Sequence, residues 1–172
     1  MNVRNKTYDL IVSALLAAIL FVAQVCLSFL PNIELVSVLI IVYSLTFSKR
    51  QVIPTIFIFC ILEGLIYGFS LWWITYLYIW PILMLVTLLL KKNRSVLFWA
   101  TIAAMYGLCF GALCALIYVA VGNFKTAFAF WISGIPFDLL HCGGNFVTTL
   151  LLFKPLMYVL GRCNGKIENL KK

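Results

Sequence analysis

Ser133-Gly134-Ile135-Pro136-Phe137-Asp138-Leu139-Leu140-His141-Cys142-Gly143-Gly144-Asn145 places an acid, an imidazole and an amide inside an otherwise apolar stretch of a very apolar chain. Proline is tolerated in the first turn of a helix, where its missing N–H has no intrahelical partner to lose, so a helix is expected to start near Pro136. At about 100° per residue, Asp138, His141, Asn145 and Thr149 fall within an arc of roughly 80° and face the same neighbours. The run from Phe146 to Phe153 is apolar apart from Thr148 and Thr149, and ends at Lys154-Pro155. A helix with a polar stripe at one end and an apolar remainder points to a site near one membrane surface.

The whole chain has the same character. Of its 172 residues 65% are hydrophobic and only 10% charged, and its mean hydropathy is +1.10, values that exclude an ordinary soluble domain. The expected architecture is all-α: an integral membrane bundle of about six transmembrane helices forming a single domain over residues 1–172. The first span, about Tyr8 to Leu30, is longer than a signal-peptide core and lacks a small-residue cleavage pattern, so it is expected to be retained. The remaining spans are expected at about Leu35–Phe47, which is short for a bilayer, Val52–Phe69, Leu71–Leu90 and Val96–Val121. An amphipathic connection from Gly122 to Trp131 then leads to the helix of the opening motif.

Net charge is +8, but the basic residues sit in short turns between spans rather than in a patch suited to nucleic acid. Arg4, Lys6, Lys49, Arg50, Lys91, Lys92, Arg94, Arg162, Lys166, Lys171 and Lys172 fall on one side of a six-span arrangement, and Lys125 alone on the other. The excess of Lys and Arg on cytoplasmic turns predicts that both termini are cytoplasmic. Six cysteines are scattered without close pairs, so neither a disulfide framework nor a metal site is expected.

An ionisable residue within a span is costly, usually faces protein or water, and marks a functional path. Glu63 and Asp138 are the strongest cases, each with the alternative of satisfying a neighbour within the bundle. His141 fits a buried structural histidine as well as a ligand contact, and Asn145 fits helix-to-helix bonding as well as recognition. Tyr67 lies one turn after Glu63. The aromatic run Trp72, Trp73, Tyr76, Tyr78 and Trp80 suits a membrane–water interface, and also suits a clamp for a flat or cationic ligand. Glu63, Tyr67 and the stripe of the last helix are expected to line one cavity opening outward.

Small residues mark two packing faces. Ala103, Gly107, Gly111 and Ala115 recur every four residues in the fifth span, and Ala14 and Ala18 lie four apart in the first, beside Ala17. Two other functions fit parts of the pattern. A stand-alone intramembrane enzyme would use Asp138 and His141 as an acid–base pair, but the chain lacks a GxSxG, HExxH or paired-glutamate motif. A metal or cation uptake site would use Asp138, His141 and Cys142, but the chain holds one histidine, too few for a nitrogen-rich shell.

Six short spans, Ala14-x-x-x-Ala18, the Gly134-Ile-Pro-Phe-Asp-Leu-Leu-His-x-x-Gly-Asn145 segment and its Phe153-Lys154-Pro155-Leu156 close together resemble the substrate-specific S components of energy-coupling factor (ECF) transporters. The resemblance covers nearly the whole chain. It implies a multi-pass protein of the prokaryotic plasma membrane that is not an enzyme and carries no cofactor. Such a protein captures a small vitamin or related micronutrient outside the cell. It then docks on a transmembrane coupling protein with two cytoplasmic ATPases that use ATP. By the same resemblance Ala14 and Ala18 would form the docking face, Asp138, His141, Asn145, Trp73 and Tyr76 would bind substrate, and Glu63 and Glu34 would contribute. Acids at Glu34, Glu63 and Asp138, with almost no basic residue outside, favour a cationic or donor-rich ligand over a polyanion.

Overall fold

The computed structural model describes residues 3–170, with side chains from Asn5 to Lys166. Lys171, Lys172 and the Arg4 side chain, which count toward the basic side of the sequence, lie outside the described residues. The described chain is helical, without strands, in six elements: α1 (Val3–Leu27), α2 (Val36–Thr46), α3 (Lys49–Tyr67), α4 (Leu71–Leu90), α5 (Val96–Val121) and α6 (Phe124–Leu170). Five of these are long and apolar enough to cross a membrane. Large apolar side chains cover the outside, among them Leu10, Leu15, Leu89, Leu97 and Leu151, the pattern of a multi-pass membrane protein.

The second element departs from the expected span. It has 11 residues, about 16 Å of helix against a hydrocarbon layer about 30 Å thick. Every residue from Val36 to Ser44 is buried. A helix that is apolar on all sides is stable only when enclosed, and α2 packs against α1, α3, α4 and α6. The loop preceding α2 goes from exposed residues at Ser28 to Pro31 to half-buried Asn32 and Ile33 and buried Glu34.

The last helix departs in the other direction. It begins at Phe124 rather than near Pro136 and runs for 47 residues through both Pro136 and Pro155. Each proline removes one i→i−4 hydrogen bond, a loss that membrane helices tolerate when neighbours satisfy the freed carbonyl. At about 1.5 Å per residue α6 is about 70 Å long, more than twice the hydrocarbon thickness. The expected amphipathic connection after Gly122 is therefore the first two turns of α6.

The helices meet along small or lightly polar seams, because apolar side chains gain little by leaving lipid for protein and close contact must hold the bundle. Ala103, Gly107, Gly111 and Ala115 are all buried in the long seam between α5 and α6. A Cβ on Gly107 would stand 2.8 Å from the His141 carbonyl carbon, and one on Gly111 would strike the Asp138 carboxylate. Between α1 and α3, Ser13 Oγ donates to the Gln51 carbonyl at 2.9 Å and Thr55 Oγ1 to the Ser13 carbonyl at 3.2 Å. That pairing buries Ala17 and turns Ala14 and Ala18 outward, where both are exposed. At the α3–α4 corner the chain reverses through Gly68 at φ 87°, a left-handed conformation that favours glycine.

Candidate ligand-binding site

Above the buried end of α2 lies a cavity of about 350 Å³, lined by the end of α1, the loop before α2, and parts of α3, α4, α5 and α6. Its floor is built around Glu34. The Glu34 carboxylate accepts the Ser37 N–H, at 2.8 Å to Oε2 and 3.2 Å to Oε1, so it caps the first turn of α2. Negative charge is favoured at that position by the unpaired amides and the helix dipole. His141 Nε2 lies 3.2 Å from Glu34 Oε1, and the imidazole packs edge-on against Phe110 with ring centroids 4.7 Å apart. The loop reaches this position because α6 carries glycine one turn beyond His141: a Cβ on Gly144 would crowd the Asn32 carbonyl at 3.3 Å.

One wall is aromatic. Trp72, Tyr76 and Trp80 follow each other at four-residue intervals on α4 and all line the cavity. Their rings pack edge to face, at 5.2 Å between Trp72 and Tyr76 and 5.4 Å between Tyr76 and Trp80. Phe110 extends the wall, 5.7 Å from Trp80. Glu63 and Tyr67, one turn apart on α3, and Gln24 and Leu27 at the end of α1 complete the lining. Glu63 is 3% and Trp80 2% exposed. Among the described residues neither Glu63 Oε1 nor Trp80 Nε1 has a hydrogen-bond partner. Polar atoms at such depth are normally satisfied, and these two belong to side chains that line the cavity.

Of the residues singled out in the sequence, Glu34, Glu63, Tyr67, Tyr76 and His141 converge here. Asp138, Asn145 and Trp73 do not line the cavity. Asp138 Oδ1 accepts the Gly111 N–H at 2.9 Å, tying α6 to α5. Asn145 Nδ2 donates to Ser37 Oγ at 3.2 Å and to the Ala103 carbonyl at 3.3 Å, joining α6 to α2 and α5. Trp73 Nε1 donates to the Cys60 carbonyl at 2.8 Å, and its ring packs on Phe69. The stripe on α6 thus divides: His141 reaches the cavity, while the groups on either side hold helices together. Trp72 and Trp80 line the cavity in place of Trp73, and their spacing with Tyr76 was the available signal. Phe110, Gln24 and Asn32 had no such signal.

His141 Nε2 meets Glu34, whereas Asp138, its partner in the enzyme alternative, accepts the Gly111 N–H. Among the described residues, no three His, Cys, Asp or Glu side chains are grouped so as to hold a metal ion. No family model, curated protein or solved structure matches the chain.

Proposed function

We propose that this chain is a substrate-capturing membrane subunit of the energy-coupling factor type, which takes a small water-soluble compound of vitamin size into the cavity above α2. The supporting observation is that cavity itself: two glutamates, an imidazole and an aromatic wall enclose about 350 Å³ within an apolar bundle. Ligand sites commonly have this make-up, apolar walls with a few converging polar groups. Binding and release need no chemistry from the chain. Transport energy would come from two cytoplasmic ATPases acting through a coupling protein, with Ala14 and Ala18 on the exposed face of α1 as the docking surface.

In this reading the chain crosses the prokaryotic plasma membrane six times, with α2 as the shortened second pass and both termini cytoplasmic. The cluster of Lys6, Lys49 and Arg50 at one end of the bundle supports that arrangement. It puts the end of α2 beside the beginning of α1, and the basic turns follow the positive-inside rule. The cavity then opens outward.

Two measurements test the proposal. Affinity purification of the chain from its native membrane should bring down a coupling protein and two ATPases, and a screen of water-soluble vitamins and their precursors should raise the thermal stability of the purified chain. Catalytic turnover of a substrate by the chain alone, or a screen with no stabilising compound, would overturn it.

A further inference from the structure

The polar groups of the cavity are not equally committed. Glu34 already accepts the Ser37 N–H and meets His141. Glu63 is as deeply placed, yet among the described residues its Oε1 has no partner and no lysine or arginine lines the cavity. An ionised carboxylate held in a low-dielectric span without a counter-charge or donor is costly. A bound cation with N–H donors favours the ionised carboxylate by supplying both.

We propose that the ligand is a planar monocation with N–H donors, such as an amidinium or a protonated amino-heterocycle, whose ring lies along Trp72, Tyr76 and Trp80 and whose N–H edge meets Glu63. The inference rests on the reading of the cavity as a capture site and names the class of compound caught there. Aromatic faces attract flat cations through the ring quadrupole. A charge-assisted N–H bond suits the Glu63 carboxylate that lines the cavity, and an acceptor on the same molecule suits the wall that carries the unpartnered Trp80 Nε1–H. An anion would face two carboxylates. A quaternary cation would gain from the aromatic wall but leave Glu63 without a donor. The volume, near the lower end for ligand pockets, suits one or two rings.

The test uses four small probes against the purified full chain in detergent: benzamidine, benzamide, benzoate and 1-methylpyridinium, with tryptophan fluorescence and calorimetry as readouts. Benzamidine should bind at least about tenfold more tightly than benzamide or 1-methylpyridinium, the ratio expected from one charge-assisted hydrogen bond. Benzoate should be the weakest. Glu63→Gln should bring benzamidine close to benzamide by weakening benzamidine much the more of the two, and Glu63→Asp should keep part of the preference. Ligand-free thermal unfolding of both variants establishes that they are folded.

Equal affinities for benzamidine and benzamide in the parent chain would overturn the cationic class, as would an unchanged preference in a folded Glu63→Gln. Either result leaves the capture reading standing, provided that Trp72→Ala weakens both probes. Failure of all four probes at millimolar concentration would overturn the proposed class, and the vitamin screen then decides the capture reading separately.

Discussion

His141 Nε2 stands 3.2 Å from Glu34 Oε1, joining the middle of the last helix to the loop that enters the cavity. Glu34 in turn holds the first turn of α2 through the Ser37 N–H. One carboxylate therefore fixes three things at once: the start of the central helix, the loop above it and the orientation of the imidazole.

Removing either side of this contact should have unequal effects. His141→Ala takes the imidazole from a buried carboxylate oxygen that keeps only the longer bond from the Ser37 N–H, 3.2 Å, and should cost about 1–3 kcal/mol. Glu34→Gln keeps an oxygen to accept the Ser37 N–H and offers its amide NH2 to an unprotonated imidazole nitrogen, and should cost less. Thermal unfolding in detergent checks the order, and a larger loss for Glu34→Gln than for His141→Ala would contradict it.

The seam between α5 and α6 offers a paired comparison. Gly111→Ala drives a methyl group into the Asp138 carboxylate, and overpacking of this kind costs about 1–3 kcal/mol. Gly134→Ala adds its methyl group where nothing lies within 4 Å, and should be neutral or stabilising by up to about 1 kcal/mol. Denaturation of the two variants in the same detergent should place them on opposite sides of the parent chain or leave Gly134→Ala level with it.

Neighbouring tryptophans should separate ligand binding from packing. Trp72→Ala removes a ring from the cavity wall and should weaken ligand affinity by about tenfold. Trp73→Phe removes the N–H that donates to the Cys60 carbonyl, and should lower stability by about 1 kcal/mol with affinity unchanged. Calorimetric titration of both variants with one stabilising compound distinguishes them.

The exposed face of α1 should matter only to a partner. Ala14→Trp and Ala18→Trp add bulk to outward-facing positions, so the purified chain should bind its compound normally while uptake in cells is lost. Ala17 is fully buried, and Ala17→Trp should instead disrupt the fold. Loss of binding in purified Ala14→Trp would show that this face supports the bundle itself.

The sequence by itself determined that this is a helical membrane protein, where its long helices lie apart from the start of α6, and that α5 carries a seam of small residues. These are local properties: composition, runs of apolar residues and spacing along a single helix state them directly. It also marked Glu34, Glu63, Tyr67, Tyr76 and His141 as polar or aromatic groups that needed a reason. Only the tertiary structure decided which of the marked groups share a cavity. One helical face is shared among several neighbours, so Asp138 turns to Gly111 and Asn145 to Ser37, while His141 alone of the three reaches Glu34 across 107 positions of sequence. The choice of Trp72 over Trp73 was likewise made by how α4 is rotated against α3. That rotation is set by contacts between helices, and no pattern within a single helix contains it.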